Sequence, residues 1–230
     1  MADAVARAEA LLRRGRPSMV VTTNPELVMH AQRDPELARA LARAELVVPD
    51  GIGVVWAARV LGHPVPQRVP GVDLAEALLA RAAAAGYRVY LLGAARGVAE
   101  TAAQRLAARF PGLVVAGTHH GYFRPEEEPA VLAAVRQAAP HILLVALGAP
   151  RQELWIARHK SAWDVPLALG VGGSLDVFAG RVRRAPRWVQ AVGLEWLYRL
   201  VRQPSRAGRM LALPRFAARV LLDAARRDLL

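Results

Sequence analysis

The sequence predicts an α/β protein with a Rossmann-like, mostly parallel sheet, helices on both faces and an Arg-rich helical C-terminal appendage. Up to about residue 180, short apolar runs alternate with amphipathic stretches, which is the pattern of alternating strands and helices. Near-continuous apolar runs such as ILLVAL (142–147) are typical of strands buried on both faces. After Gly180 the alternation stops, so we expect a domain at 1–180 and the appendage at 181–230.

Six strands are expected where β-branched or Leu-rich runs end in Gly, Asp or Asn. They lie at 19–23, 46–49, 88–92, 113–117, 142–147 and 167–171. Helices are expected in the stretches between them, at 25–44, 52–61, 72–85, 98–109, 126–138 and 151–158. The stretch 25–44 should form two helices, because the pair Asp34-Pro35 interrupts it.

The composition excludes several classes of protein. An apolar content of 54% is too high for a disordered chain. The lack of cysteine rules out disulfides, Cys-ligated zinc, iron–sulfur clusters and thiol catalysis. Charges occur throughout the first 18 residues and no uncharged run exceeds 14 residues, so neither a signal peptide nor a transmembrane helix is expected. The expected compartment is the cytoplasm.

The net charge of +12 is concentrated near the C-terminus. Residues 181–230 hold 12 of the 31 basic residues but only 3 of the 19 acidic ones. A codon bias toward arginine would explain why Lys160 is the single lysine, but it would not produce this asymmetry. We therefore expect the appendage to meet an anionic partner, either phosphate groups or a lipid surface.

Polar side chains follow the first two predicted strands, and ligands of parallel sheets bind beyond the carboxyl ends of strands. Thr22 and Asn24 end the first strand and can direct a hydroxyl and an amide into that crevice, although Asn24 suits a helix cap equally well. Asp50 ends the second strand, and Gly51 and Gly53 after it allow a ligand to approach the backbone closely. The Asp50 carboxylate is therefore either a general base or a helix cap.

Three further strand ends are also rich in glycine or polar residues. Gly93 opens a loop before a helix whose free N–H groups can hold a phosphate. Arg151 and Gln152 follow the fifth strand, and Gly173 lies in the turn after the sixth. A tight turn would explain each alone, but five such ends on one edge predict a ligand site. The sequence has no DxD, HExxH, GxSxG or Walker A motif, so no metal site, serine nucleophile or P-loop is expected.

Five sequence blocks, in order, resemble the WecG/TagA/CpsF glycosyltransferase family. They are VTTNPELVMHA (21–31), VPDGIGVVWAARVLG (48–62), RVPGVDL (68–74), ALGAPRQELW (146–155) and, within 170–200, GVGGSLDVFAG followed by RAPRWVQAVGLEWLYRL. The resemblance implies an inverting, metal-independent transferase that needs no cofactor and uses a UDP-sugar. Its best-known members transfer N-acetylmannosamine from UDP to GlcNAc on undecaprenyl diphosphate, forming a β-1,4 linkage in teichoic acid synthesis. Others use the corresponding uronic acid or another UDP-sugar for surface polysaccharides.

The resemblance also implies roles for particular residues. Asp50 is similar to the family's proposed general base, and Arg68 and Gln152 match two further catalytic positions. Thr22 and Asn24 resemble pocket residues of the family, and Arg199, Arg206 and Arg209 resemble arginines that fold over its active site. The expected substrate-binding set also includes four residues chosen for their places at the strand ends, Gly51, Gly93, Arg151 and Gly173. Ala94 departs from the pattern, because glycine is usual there.

The implied chemistry fits the residue types. A base must take the proton of the attacking hydroxyl, and arginines can stabilise the leaving diphosphate where a metal is absent. The partners would be a UDP-sugar, the undecaprenyl-diphosphate-linked GlcNAc acceptor and the inner face of the cell membrane, with no nucleic acid and a possible homo-oligomer.

Membrane attachment would use the apolar side of the last helix, a face formed by Met210, Leu213, Ala217, Val220, Leu221 and Ala224. Packing of this face on the sheet domain is the alternative. A peripheral position on the cytoplasmic side of the membrane is expected.

Two other classes of protein are alternatives to a glycosyltransferase. An NAD(P)-dependent oxidoreductase would explain the glycine-rich turns, but the first turn, TTNPE (22–26), lacks the glycine fingerprint. A nucleic-acid-binding module would explain the arginines of the appendage but would leave Asp50 without a role.

Overall fold

The computed structural model describes residues 1–202, 204 and 207–227, which form one sheet with helices around it. The strands are β1 (Ser18–Thr23), β2 (Leu46–Pro49), β3 (Arg88–Gly93), β4 (Val114–His119), β5 (Ile142–Ala146) and β6 (Leu167–Gly170). They lie in the order β2-β1-β6-β5-β3-β4, and every neighbouring pair is parallel. The predicted α/β fold with a parallel sheet is thereby confirmed.

Helices connect the strands and complete the C-terminal part of the described chain. They are α1 (Ala2–Arg14), α2 (Pro25–Ala31), α3 (Pro35–Ala42), α4 (Ile52–Val60), α5 (Gly71–Ala85), α6 (Val98–Arg109), α7 (Glu128–Ala138), α8 (Arg151–His159), α9 (Ser174–Phe178), α10 (Arg187–Ala191), α11 (Glu195–Arg202), α12 (Ala207–Met210) and α13 (Ala212–Arg227). A 3-10 turn at Pro125–Glu127 precedes α7.

The interruption predicted between α2 and α3 is confirmed. Asp34 is the N-cap of α3, and its carboxylate accepts hydrogen bonds from the backbone N–H groups of Glu36 and Leu37. The next residue, Pro35, occupies the first helical position, where its missing N–H costs nothing.

The N-terminal helix α1 is an element that the strand and helix pattern did not predict. Ala4, Ala8, Leu11 and Leu12 are buried on one side of it, and α1 packs on α5 and on the sheet. Gly15 ends it in the left-handed conformation, with φ of 65°. The spacing of its buried residues is helical, but two of the four are alanines, whose hydrophobic signal is weak.

The core has one large apolar layer on each face of the sheet. On one face, residues of α1, α5, α6 and α9 pack against side chains such as Val20, Leu91 and Leu144. On the other face, residues of α2, α3, α7 and α8 pack against the intervening side chains, such as Val21 and Leu143. Successive strand residues point to opposite faces, so burial on both faces explains why these strands are apolar throughout.

The helices α10 to α13, here called the C-terminal helices, include one that packs closely on the rest of the chain. Phe216 and Val220 of α13 are buried against Ala57 of α4 and Val28 of α2. Leu221 of the predicted apolar face is 56% exposed. Val220 of the predicted face is therefore packed on the rest of the chain, together with Phe216, which the predicted face did not include. Docking of the face on lipid stays a prediction.

Replacement of the buried aromatic residue of α13 tests this packing. Phe216→Ala should lower the free energy of unfolding by about 3 kcal/mol, because it leaves a cavity between α13 and α4. Leu222→Ala on the same helix removes a side chain that is 59% exposed. It should change the free energy of unfolding by less than about 0.5 kcal/mol. Urea unfolding followed by circular dichroism measures both, and equal effects would contradict the packing described.

Candidate active site

A cavity of about 440 Å³ opens at the carboxyl ends of β1, β2, β5 and β6. Its floor consists of the residues that directly follow these strands, as expected for a ligand site in a parallel sheet. The C-terminal helices form the opposite wall, through Glu195, Trp196, Met210, Leu213, Phe216 and Ala217. The two distant parts of the chain therefore enclose one space.

Most of the residues predicted from the sequence meet in this cavity. Those that line it are Thr22, Asn24, Asp50, Gly51, Arg68, Gln152 and Gly173. Gly93 and Arg151 are not among its lining residues. Arg206 lies outside the described residues, and so do the side chains of Arg199 in α11 and Arg209 in α12.

The end of β1 places two polar side chains at the cavity. Asn24 is the N-cap of α2, and its Oδ1 accepts a hydrogen bond of 2.9 Å from the backbone N–H of Leu27. The cap therefore occupies the Asn24 oxygen, while the residue also lines the cavity. The Thr22 hydroxyl donates to the carbonyl of Gly170 at the end of β6, at 3.5 Å.

The end of β2 places Asp50 beside an arginine. Arg68 Nε donates to the Asp50 carbonyl at 2.5 Å, and Arg68 Nη2 lies 3.8 Å from Asp50 Oδ1. Gly51, rather than Asp50, is the N-cap residue of α4, and it has no side chain with which to cap the helix. A β-carbon on Gly51 would lie only 2.8 Å from Pro25 Cδ, so the close approach of α2 requires glycine there.

Arg68 also pairs with a carboxylate from the C-terminal helices. Glu195 Oε2 lies 2.9 Å from Arg68 Nη2, and Glu195 Oε1 lies 3.7 Å from Arg184 Nε. Arg184 in turn holds both carboxylate oxygens of Asp73 in the first turn of α5. Burial lowers the pKa of Arg184, but the charges and hydrogen bonds of Asp73 and Glu195 outweigh it and raise the pKa.

Gln152 and its neighbour Glu153 are buried at the start of α8. Gln152 Oε1 accepts from the backbone N–H of Gly172 at 3.0 Å, and Gln152 Nε2 donates to Glu153 Oε1 at 2.8 Å. Burial raises the pKa of the Glu153 carboxyl, against the opposing effect of the hydrogen bond from Gln152. Both residues line the cavity.

Gly93 and Arg151 have other surroundings. Gly93 has φ of 129°, and a β-carbon there would lie 2.4 Å from the carbonyl oxygen of Ala146 on β5. Strand packing therefore requires this glycine. Arg151 Nη1 donates to the carbonyl of Gly121 at 3.3 Å, and the guanidinium carbon lies 5.2 Å from the centre of the Phe123 ring.

Glu153 and Glu195 are site residues that the sequence reasoning did not assign. A signal existed for Glu195, because it is one of only three acidic residues in the Arg-rich stretch 181–230. Glu153 follows Gln152 directly in a quoted block, but nothing in the sequence distinguishes a buried glutamate from an exposed one in the first turn of a helix.

The described residues offer neither a metal-binding cluster nor a membrane-spanning helix. In the part of the chain that the structure describes, no group of three or more His, Asp or Glu side chains is arranged to hold a metal ion. Among the same residues, no helix has the length and apolar character needed to cross a membrane.

The parallel sheet and the cavity at its carboxyl edge define an α/β protein of the class that binds ligands beyond the ends of its strands. The sequence comparisons define the group within this class. Residues 1–229 match the family model described as "Glycosyl transferase WecG/TagA/CpsF family". The chain therefore belongs to this family of glycosyltransferases, as its sequence blocks predicted.

Three relatives carry the same name, N-acetylglucosaminyldiphosphoundecaprenol N-acetyl-beta-D-mannosaminyltransferase. The relative from Bacillus spizizenii is 37% identical over 91% of this chain and 81% of its own length. The relative from Bacillus subtilis is 34% identical over 90% and 80%, respectively. The relative from Staphylococcus aureus is 36% identical over 87% and 78%. The protein is a hexosyltransferase.

The ion pairs of Glu195 should make a measurable contribution to stability. Glu195→Gln should lower the free energy of unfolding by about 2–3 kcal/mol, because it leaves the partly buried guanidinium groups of Arg68 and Arg184 without their shared carboxylate. Asp223→Asn removes an exposed carboxylate that pairs with Arg219 and should cost at most about 0.5 kcal/mol. Urea unfolding at low salt measures the free energy of unfolding of both variants. An equal loss of this free energy in the two variants would contradict the structural role of Glu195.

Proposed function

We propose that this protein transfers N-acetylmannosamine from UDP to GlcNAc linked through diphosphate to undecaprenol, forming a β-1,4 linkage of the teichoic acid linkage unit. The names of relatives at 34–37% identity support the donor sugar and the acceptor. The observation that carries the proposal is the placement of one carboxylate, Asp50, beside one guanidinium, Arg68, in a cavity at the carboxyl edge of the sheet.

Asp50 acts as the general base in the proposed reaction. Its carboxylate takes the proton of the attacking GlcNAc hydroxyl as that oxygen bonds to the anomeric carbon of the donor. The bond from this carbon to the β-phosphate oxygen breaks on the opposite side, so the configuration inverts and UDP leaves with the electron pair. Arg68 keeps the Asp50 side chain in place, since it is bound to the Asp50 carbonyl and lies 3.8 Å from its carboxylate.

The other predicted residues bind the donor in this proposal. Thr22, Asn24, Gly51 and Gly173 line the cavity, and the small side chains or glycine backbones among them allow a ligand to approach closely. Gln152 offers an amide N–H to the sugar or the diphosphate. The roles of Gly93 and Arg151 remain predictions, because both lie away from the cavity lining.

We also propose that arginines replace a metal ion at the leaving diphosphate. Guanidinium groups bind phosphate oxygens through two parallel hydrogen bonds, and donors aimed at developing charge stabilise the transition state. Arg68 is the arginine that lines the cavity among the described side chains. Arg199, Arg206 and Arg209 are proposed to join it once the donor is bound.

Attachment to the inner face of the membrane is proposed for the surface of the C-terminal helices. Trp188, Val192 and Val201 are 62–71% exposed there. Arginines of the same stretch, such as Arg187 and Arg202, are exposed as well. Apolar side chains that enter the interface and arginines that meet anionic headgroups favour such attachment, which would bring the cavity to the lipid-linked acceptor. A homo-oligomer remains a prediction.

A transfer assay with a short-chain lipid-diphosphate GlcNAc acceptor tests the proposed reaction. UDP-ManNAc should be the preferred donor over the corresponding uronic acid and UDP-glucose, and excess EDTA should leave the rate unchanged because arginines carry out the charge stabilisation. Preference for the uronic acid would contradict the donor assignment. Loss of the rate in EDTA and its recovery with Mg²⁺ would contradict metal independence.

Replacement of the proposed base tests the mechanism. Asp50→Asn should lower kcat at least about 100-fold, because the amide cannot take the hydroxyl proton. UDP affinity, measured by calorimetry, should change less than about threefold, since the shape of the cavity is kept. Asp164→Asn, at an exposed aspartate before β6, is the matched control and should keep the wild-type kcat. Near-normal turnover of Asp50→Asn would remove Asp50 as the base.

A further inference from the structure

We propose that Glu153 is a positioning residue that, as a neutral carboxylic acid, fixes the orientation of the Gln152 amide in the cavity. Both side chains line the cavity, and Oε2 of Glu153 is buried there without a hydrogen-bond partner within the described residues. The contact of the oriented amide with a substrate rests on the proposed function. The protonation state of Glu153 does not depend on that function.

The two side chains form a hydrogen-bonded unit with a single favourable orientation. Gln152 and Glu153 are 4% and 2% exposed. The Gln152 nitrogen donates to Glu153 Oε1, and the Gln152 oxygen accepts from the N–H of Gly172. A flipped amide would bring two donors together at the N–H of Gly172. Its oxygen would also face Glu153 Oε1, which accepts in the observed arrangement and could donate only if the acid proton moved to it from Oε2. Gly172 and Glu153 together therefore favour the observed orientation of the amide.

The end of β6 leaves room for this unit. A β-carbon on Gly170 would lie 2.8 Å from Gln152 Nε2 and 3.1 Å from Glu153 Oε1. The carbonyl of Gly170 also accepts from the Thr22 hydroxyl on β1. The position of the Gln152 amide is thus fixed by α8, β6 and the loop that contains Gly172, all at the floor of the cavity.

The surroundings of Glu153 favour its neutral form. Glu153 Oε2 is buried and has no hydrogen-bond partner within the described residues. An ionised carboxylate with one oxygen unpartnered would cost far more free energy in this place than a neutral acid. Burial accordingly raises the pKa of the group, and no charged side chain is among the causes of the shift.

The elements that pack against α8 supply no counter-charge for Glu153. The strands β1, β5 and β6 have no titratable side chain. On α3, the exposed Glu36 pairs with Arg158 at the other end of α8, and Arg39 is exposed. Glu128 of α7 pairs with His159, also at that other end of α8. The titratable residues that share the cavity lining are Glu26, Asp50, Arg68 and Glu195, and none of them contributes to the shift of Glu153.

The unit leaves one donor available for a ligand. The Gln152 amide nitrogen carries two hydrogens, and Glu153 accepts one of them. The second can donate to an oxygen of the bound sugar nucleotide, either a hydroxyl, a carbonyl or a phosphate oxygen. Because the Gln152 amide is already oriented before the ligand binds, less conformational entropy is lost when this hydrogen bond forms. We expect this orientation to raise the transfer rate.

The protonation of Glu153 can be tested without any substrate. Urea unfolding of the wild type, Glu153→Gln and Glu100→Gln is measured from pH 5 to 9. Above the ordinary glutamate value of 4.5, the unfolded wild type releases the Glu153 proton while the folded protein retains it. Folding then requires proton uptake, so the wild type should lose stability relative to Glu153→Gln as the pH rises toward the raised pKa of the folded state.

Glu100→Gln is the control for the loss of a glutamate charge elsewhere in the protein. Glu100 is an exposed glutamate in the first turn of α6, so Glu100→Gln should follow the wild-type curve. Parallel curves for the wild type and Glu153→Gln across the whole range would show that Glu153 is ionised in the folded protein, which would overturn the proposal. This outcome does not depend on whether the protein transfers N-acetylmannosamine.

The positioning role is tested by kinetics of UDP-ManNAc transfer. Glu153→Gln keeps a neutral acceptor beside Gln152, whereas Glu153→Leu removes it and frees the amide to rotate. We expect kcat of Glu153→Leu to lie at least about tenfold below that of Glu153→Gln, the effect of leaving a buried hydrogen-bonding group unpaired. Equal kcat values for the two folded variants would overturn the positioning role. Absence of transfer by the wild type itself would instead count against the proposed function.

A second variant covers the case in which Glu153→Leu does not fold. Gly170→Ala keeps both side chains but places a methyl group 2.8 Å from Gln152 Nε2, so the unit must shift. Its kcat should fall at least about fivefold if the amide orientation matters for transfer. Gly208→Ala, at an exposed glycine of α12 whose β-carbon would meet no atom within 4 Å, is the control for the added methyl group and should keep the wild-type kcat. A fall no larger for Gly170→Ala than for Gly208→Ala would overturn the proposal.

Discussion

The guanidinium of Arg68 lies between two carboxylates from distant parts of the chain, and the rest of the site depends on this contact. On one side it binds the carbonyl of Asp50 and approaches its carboxylate. On the other side it binds Glu195, which lies 127 positions later in the sequence. A single positive charge thus connects the edge of the sheet to the C-terminal helices, and Arg184 extends the connection to Asp73 on α5. Because these groups are largely shielded from water, loss of one charge leaves the others uncompensated.

The parallel sheet determines where this contact forms. Strands β1 and β6 are paired although about 150 positions separate them, as the register Ser18 to Leu167 shows. Their carboxyl ends therefore meet, and the residues that follow them share one edge. Glycines at these ends allow close packing of side chains and backbone, as Gly51 does for Pro25 and Gly170 does for Gln152.

Sequence reasoning predicted the six strands, the parallel α/β class and seven residues that line the cavity, because apolar runs and polar strand ends are local signals. It did not predict α1, where two of the four buried residues are alanines. Its assignment of Gly93 to ligand binding stays a prediction, and it did not foresee that the packing of Gly93 on Ala146 requires glycine. Glu153 and Glu195 were not assigned, because their burial and partners depend on elements far away in the sequence.

Phe216 has contacts on two sides, and they couple the docking of α13 to the affinity of the cavity for its ligand. The ring both packs on Ala57 and forms part of the cavity wall. A molecule that fills the cavity contacts this wall only while the helix is docked, so the ligand and the helix stabilise each other's bound state. If only a fraction of the molecules has the helix docked, the apparent dissociation constant rises in inverse proportion to that fraction. Any surface that holds α13 in place would therefore increase donor affinity without touching the donor.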